Sequence, residues 1–594
     1  MGAAWRVGAV VGAMALLTGV LASSESSGTT TPAKTSFVAA AQVAVRPSAP
    51  GAFVSLAPSR LLDTRTGDGG AGPVAGSGTV HLQVAGRSGV PASGVSAVVM
   101  NVTVTAPTRT GYLTAYPDAT SRPNASNLNF VQGQTVANLV TVRLGSNGKV
   151  ALTNVSRGSA QLVADVAGYY LVGTPPFVTS IAPSGHYFLD QYSDPILIKG
   201  DSPWIGFAAV STTDWSAYLA ARAAQGVNSL IVDAVAWNLI RGAGVPGSPD
   251  AYTAGQTYDG IHPFTNNDIT TPNPTYWSRV DAMVAAARTY GITLFIYAVD
   301  NYQFGAGEVM NGVSDSSAVT LGRFLGNRYK NAPNIVWLFG NDYPPSAAPD
   351  SRMRSVLTGI RDAGDHHMFS ASLMYHLSYT YDGATWTDAD FWSVYTYPVQ
   401  YDPMKRAYDH LPTRPAVMIE AAYIGESYTK GDVPLTIRKQ IGWSLSQGGA
   451  GDFVGTEDWW FKSGWQTRLT RSEVVQAATL RSIFEAVEWW RLVPSTTFVT
   501  SGAGTRLTAT NSNPGATDWP AANDYASSAV SADGTLAMVY LPTQRTIRVD
   551  SSRLTGSPVG TWVSATTGAQ TAAGSLSGAL TPPSAGDWVL RIKS

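Results

Sequence analysis

From Phe53 to Val172, apolar and polar residues alternate in short runs separated by Gly, Pro, Asn and Ser. The runs Thr79-Val80-His81-Leu82-Gln83-Val84, Ala97-Val98-Val99-Met100-Asn101-Val102-Thr103-Val104 and Leu139-Val140-Thr141-Val142-Arg143-Leu144 put every second side chain on one face. That is the period of a half-buried strand. No helical repeat interrupts it, so residues 51–173 are predicted to form an all-β accessory domain. Thr174-Pro175-Pro176 then reads as a linker.

From about Phe177 the pattern becomes apolar runs of strand length separated by stretches of helical spacing, the mark of parallel α/β architecture. Eight strands are expected: Trp204–Ala209, Ser229–Ala234, Leu294–Val299, Ile335–Phe339, Phe369–Met374, Phe391–Tyr395, Ala416–Ile419 and Asp452–Gly455. Helices are expected over Asp214–Gln225, Tyr276–Tyr290, Ser316–Tyr329, Met353–Asp362, Leu435–Ser446 and Glu473–Trp490. Such a count in residues 177–496 predicts a (β/α)8 TIM barrel. Residues 497–594 return to short alternating strands with Gly-rich turns, as in Leu536–Leu541 and Asp587–Ile592, and predict a β-sandwich.

The first residues predict export. Arg6 precedes an apolar run from Val7 to about Leu21, followed by the small residues Ala22, Ser23 and Ser24. Residues 1–22 read as a signal peptide and 23–50, rich in Ser, Thr, Ala and Pro, as a disordered leader. The expectation is a secreted protein, in part cell-surface associated, with no stable membrane span after cleavage. The chain has no cysteine, which excludes disulfides, thiolate metal sites and a Cys nucleophile. A net charge of −1 gives no basic excess for nucleic acid. No metal motif or phosphate-binding loop stands out, so no cofactor is expected. The 17 Trp residues suit a partner with apolar C–H faces, such as a polysaccharide or oligosaccharide.

Two acids close apolar runs. Asp342 ends Asn334-Ile335-Val336-Trp337-Leu338-Phe339-Gly340-Asn341-Asp342, and Glu420 ends Ala416-Val417-Met418-Ile419-Glu420. A buried strand gains nothing from an unpaired carboxylate at its end. In a (β/α)8 barrel both acids open onto the C-terminal face, where such barrels keep their chemistry. Two facing carboxylates there suggest glycoside hydrolysis. Other polar and aromatic groups at strand ends are candidate substrate ligands: Asp201, Trp204, Trp237, Asn238, Asp300, Asn341, His376, Tyr397, Tyr423, Glu457 and Trp459.

Several landmarks occur in order: Gly200-Asp201-Ser202-Pro203-Trp204, Gly226-Val227-Asn228, Leu325-Gly326-Asn327-Arg328-Tyr329-Lys330, Gly340-Asn341-Asp342, Ile419-Glu420 and Asp587-Trp588-Val589-Leu590. With them the region from about Gly185 to Ser594 resembles the apiosidase-like glycoside hydrolases, a (β/α)8 domain followed by a small β-sandwich that carries a collagen-binding label. The resemblance implies Asp342 as acid/base and Glu420 as nucleophile of a retaining enzyme. Asn341 stands where the family commonly has Gly. An Asn before the acid is typical of the wider clan, where it holds the sugar's 2-hydroxyl. The family often has Pro after the nucleophile; here Ala421 and Ala422 follow. Pro58-Ser59-Arg60-Leu61-Leu62-Asp63-Thr64-Arg65 and Ala164-Asp165-Val166-Ala167-Gly168-Tyr169-Tyr170 resemble the ends of a β-domain of secreted actinobacterial proteins, which implies location and modularity but no ligand. Cell-wall or glycan attachment is a candidate role for this domain.

These readings converge on a secreted glycosidase acting on plant or microbial cell-wall polysaccharide, with apioside or other furanoside side chains as candidate targets. The competing expectation is a non-catalytic secreted adhesin that binds carbohydrate or matrix. It predicts that Asp342 and Glu420 do not face each other, or that the cleft is filled.

Overall fold

The computed structural model describes residues 53–70, 72–92, 94–145, 147–171, 173, 175–236, 257–300, 310, 312–341, 347–373, 386–426, 429, 431–509 and 519–594, with 347–349 by backbone only. The expected signal peptide and leader lie outside these residues. Among the described residues, no helix is long and apolar enough to cross a membrane.

The N-terminal region is two four-stranded antiparallel sheets. Phe53–Asp63, Gln161–Leu171, Val95–Thr105 and Val136–Arg143 lie side by side in one; Thr79–Gln83, Lys149–Ser156, Gly111–Pro117 and Leu128–Phe130 in the other. The alternation in the sequence explains the packing. Val98, Met100, Val102 and Val104 enter a shared core with Leu113, Leu152 and Leu162, while Asn101 and Thr103 stay half-buried on the other face.

The central region is an eight-stranded parallel sheet: β1 (Ile198–Asp201), β2 (Ser229–Asp233), β3 (Thr293–Asp300), β4 (Ile335–Gly340), β5 (Phe369–Ser372), β6 (Trp392–Tyr395), β7 (Ala416–Glu420) and β8 (Gly449–Val454). The strands follow the order 5-4-3-2-1-8-7-6, a nearly closed barrel. At the seam between β5 and β6, the Asp390 amide donates to the Phe369 carbonyl (2.9 Å). The Ser370 hydroxyl reaches the Phe391 carbonyl (2.7 Å) and the Ser393 hydroxyl (2.9 Å). Every residue of β2, β4 and β8 is buried, as expected of parallel strands covered on both faces.

The helices α1 (Thr212–Ala224), α2 (Pro274–Thr289), α3 (Asp315–Tyr329), α4 (Ala347–Asp362), α5 (Tyr401–Asp409), α6 (Val433–Ser446) and α7 (Ser472–Glu485) surround the barrel. Ser211, Asn273, Ser314 and Asp432 cap α1, α2, α3 and α6, each side-chain oxygen accepting from an amide of the first turn. The sequence reading missed α5, and α7 stops short of the expected Trp490.

One strand expectation is corrected. The first barrel strand is Ile198–Asp201, not Trp204–Ala209. Pro203 has no amide hydrogen to continue the ladder, and its carbonyl accepts from Gly206 in a turn. Gly206–Ala209 is a single helical turn, buried throughout. A short apolar run of this kind does not by itself distinguish a strand from a buried helix.

The C-terminal region is built on a six-stranded sheet that includes β9 (Leu492–Ser495), β10 (Ser527–Ser531), β11 (Leu536–Leu541), β12 (Val559–Ser564) and β13 (Trp588–Lys593). β11 is buried on both faces. Leu536, Met538 and Tyr540 face α6 and α7 of the barrel; Ala537, Val539 and Leu541 face a second core with Ile547 and with Val499 and Val549 of a two-stranded ribbon. Helix α6 is therefore apolar on one side and polar but satisfied on the other. Arg438 forms a bidentate pair with Asp587 (2.8 and 2.9 Å), the Lys439 ammonium donates to the carbonyls of Pro520 and Asn523, and the Trp443 indole to that of Tyr525. At Gly442 an added Cβ would lie 2.5 Å from the Tyr540 ring. The C-terminal sheet thus fits against α6 with no room for a side chain there.

Candidate active site

Strand direction brings the C-terminal ends of β2, β3, β4, β6 and β7 to one face of the barrel. Glu420 ends β7 and is half-buried where the rest of the strand is buried. Its backbone carbonyl accepts from the Thr396 amide at 3.1 Å, and in the β6–β7 ladder it stands opposite Tyr395.

The side chain at the centre of this face is Tyr297 of β3, which sequence reading had not singled out. Burial first, and then the carboxylates of Glu420, Asp300 and Asp233, push its hydroxyl well above the usual phenol range; the Ser372 hydroxyl acts in the opposite direction. Acids from β2, β3 and β7 thus all act on this one hydroxyl. Trp204 lies against Tyr297, with ring centroids 5.2 Å apart, and its indole N–H donates to the Tyr423 hydroxyl at 2.6 Å. Trp204 and Tyr423 are both buried, so they form the floor of the face.

Asp233 and Asp300 end adjacent strands. Burial, then the Asp300 charge, push the Asp233 carboxyl well above the ordinary Asp range. Asp300 is half-buried. Asp233 carries the same signal as Glu420, an acid closing an apolar run, and that criterion applied to every strand would have found it.

At β4 the chain turns sharply. Gly340 (φ 92°) and Asn341 (φ 79°) are both left-handed. That conformation is rare for a residue with a Cβ, and Asn is among the few that tolerate it. The Asn341 amide donates to the Ser372 carbonyl at 2.7 Å. Its side chain is 7% exposed, and its amide oxygen has no hydrogen-bond partner among the described residues. A buried orphaned acceptor is costly unless something else fills it. Asp342 follows directly and lies outside the described residues, as do Trp237, Asn238 and His376.

The remaining expected ligands are dispersed. Asp201 is buried; Arg222 and the Tyr218 hydroxyl take one oxygen and the Ser202 amide the other (2.8 Å). This places Asp201 in the packing between β1 and α1, with both oxygens spent internally. Glu457 pairs with Arg471 at 2.5 Å. Trp459 stacks on Trp460 (4.8 Å, 13° between planes) and its indole donates to Glu426 at 3.2 Å. Tyr397 shares a hydroxyl–hydroxyl contact of 2.9 Å with Tyr395.

Residues 182–491, more than half of the chain, match the family model described as "Apiosidase-like, catalytic domain". No curated protein matches the chain. A solved structure described as a glycoside hydrolase is similar over 70% of this chain and 97% of its own, at 18% identity and a TM-score of 0.57. A glycoside hydrolase family 5 protein from Bacteroides vulgatus is similar over 70% and 93%, at 18% identity and a TM-score of 0.56. At these identities the likeness is one of fold.

Proposed function

We propose that this chain, which belongs to the apiosidase-like family, is a secreted retaining glycoside hydrolase with Glu420 as nucleophile and Asp342 as acid/base. The observation that carries the reading is that Glu420, Asp300 and Asp233 close three parallel barrel strands at one face, where Trp204 packs against Tyr297.

Glu420, ionised, attacks the anomeric carbon as the glycosidic C–O bond breaks, forming a glycosyl ester. Asp342 gives its proton to the departing oxygen. Asp342, now a carboxylate, takes a proton from water, whose oxygen attacks the anomeric carbon and releases Glu420. The orphaned Asn341 amide oxygen, one residue before the acid, supports a role in accepting a hydrogen bond from a sugar hydroxyl. Asp300 is a further acceptor on the same face. Burial disfavours the ionised form of Asp233, which limits the negative charge on this face.

The substrate class is plant or microbial cell-wall polysaccharide, with apiosides and other furanoside side chains as the first candidates. The charge-poor, aromatic-rich composition supports this. Export follows from the N-terminal apolar run, and the N-terminal β region is proposed to hold the enzyme to cell wall or glycan. A panel of aryl pentofuranosides and pyranosides tests the reading on wild type, Asp342→Asn and Glu420→Gln. Hydrolysis abolished by both substitutions is expected. Hydrolysis unchanged in both would remove these residues from the mechanism.

A further inference from the structure

Among the described residues, Trp519 of the C-terminal β region reaches the active-site face. Trp519 is 5% exposed and stacks on Tyr397, with ring centroids 5.9 Å apart and planes 3° from parallel. Tyr397 follows β6. Its hydroxyl lies 2.9 Å from that of Tyr395, and the two rings meet edge to face at 5.4 Å. Tyr395 stands opposite Glu420 in the ladder, and the residue between the two tyrosines, Thr396, donates its amide to the Glu420 carbonyl. A continuous path of contacts therefore runs from Trp519 to the backbone that carries Glu420.

The segment bearing Trp519 is fixed to the barrel at several points. The Lys439 ammonium on α6 is buried and donates to the carbonyls of Pro520 (2.8 Å) and Asn523 (2.7 Å). The Tyr401 hydroxyl of α5 lies 3.2 Å from the Asn523 side-chain oxygen. Burying an ammonium is costly unless its hydrogen bonds are made. Here two of them tie a short stretch of the C-terminal region to α6. Such anchoring is far more than a surface loop needs, and it sets the ring of Trp519 flat against Tyr397.

We propose that Trp519 is a positioning residue of the active site: it fixes Tyr397, and through it Tyr395 and the β6–β7 junction beside Glu420, so that the C-terminal β region is part of the catalytic unit. The inference rests on Glu420 being the nucleophile. A ring displaced by about 1 Å at this distance from the chemistry can lower turnover by about a hundredfold.

The test compares wild type, Trp519→Ala, Trp519→Phe, Tyr397→Phe and the Trp519→Ala/Tyr397→Phe double variant on the aryl glycoside that wild type cleaves fastest. Thermal midpoints are recorded for each, and Glu420→Gln serves as the reference. The expected result is a roughly tenfold to hundredfold fall in kcat for folded Trp519→Ala. Most activity should return in Trp519→Phe, which keeps a flat face. The double variant should fall less than the product of the single losses, because both act on one path. An unchanged kcat in folded Trp519→Ala overturns the proposal, as does equal loss in Trp519→Phe and Trp519→Ala. Residual activity in Glu420→Gln would strike at the nucleophile assignment instead, and the Trp519 comparison would still report whether turnover depends on the C-terminal region. If no glycoside in the panel is cleaved, the crystal structure of Trp519→Ala decides. A displaced Tyr397 ring with its contact to Tyr395 lost supports the proposal; both tyrosines unmoved contradicts it.

Discussion

Asp233, buried at the end of β2, feels the charge of the half-buried Asp300, which ends the adjacent strand β3. Burial first, and then that charge, disfavours the ionised form of Asp233. The folded-state pKa of Asp233 is raised above its ordinary 3.8, so the folded protein binds more protons than the unfolded chain above that value. The contribution to stability is full below the unfolded pKa and is lost as pH rises through the raised folded value. Asp233→Asn keeps a donor at the site without a titrating proton. The thermal midpoint of wild type should therefore fall more steeply than that of Asp233→Asn as pH rises above 3.8. Parallel profiles would contradict the raised Asp233 pKa.

Helices α3 and α4 approach so closely that a Cβ at Gly322 would lie 2.0 Å from the Val356 carbonyl oxygen, and one at Gly359 would lie 2.1 Å from that of Val319. The obstacle at each is backbone and cannot rotate away. Gly322→Ala should cost at least about 1–3 kcal/mol, the usual range for overpacking. Thr320→Ala, on the exposed side of α3, should stay within about 0.5 kcal/mol. Equilibrium unfolding in urea measures both, and equal values would contradict the close approach.

The Arg438–Asp587 pair joins the barrel to the C-terminal sheet, with side chains 7% and 1% exposed. The Asp587 carboxylate also accepts from the Tyr540 hydroxyl at 3.1 Å. Asp587→Ala leaves a buried guanidinium without its carboxylate and should cost about 3–5 kcal/mol. Arg438→Met combined with Asp587→Leu should cost less than Asp587→Ala alone, since no buried charge is left over. Differential scanning calorimetry gives both changes. A small loss in Asp587→Ala would mean that water reaches Arg438.

Much of the barrel can be read from sequence because its parallel strands are buried on both faces and appear as unbroken apolar runs. Ser229–Asp233, Ile335–Gly340 and Ala416–Glu420 each fall within a residue of their expected ends. The first strand was misplaced because Trp204–Ala209 is as apolar as a strand yet follows Pro203, which ends the ladder. The acid at the end of β7 was visible as a charge after Val-Met-Ile. Asp233 carries the same signal at the end of β2, but in the sequence the expected run reads through it to Ala234. Asp201 reads as a ligand only until α1 is in place, since Arg222 and Tyr218 approach it from a different element. Tyr297 and Trp519 carry no local signal. Their importance arises from contacts between distant segments, which neither periodicity nor composition encodes.

The assignment of Glu420 as nucleophile is tested most directly by trapping. Once the panel has named the sugar, the enzyme is incubated with the matching activated 2-deoxy-2-fluoroglycoside and digested, and its peptides are weighed by mass spectrometry. The account predicts one added glycosyl unit on the peptide containing Ala416–Glu420, absent in Glu420→Gln. An adduct on a different acid, or active enzyme that gives no adduct and releases the sugar with inverted configuration, would contradict it.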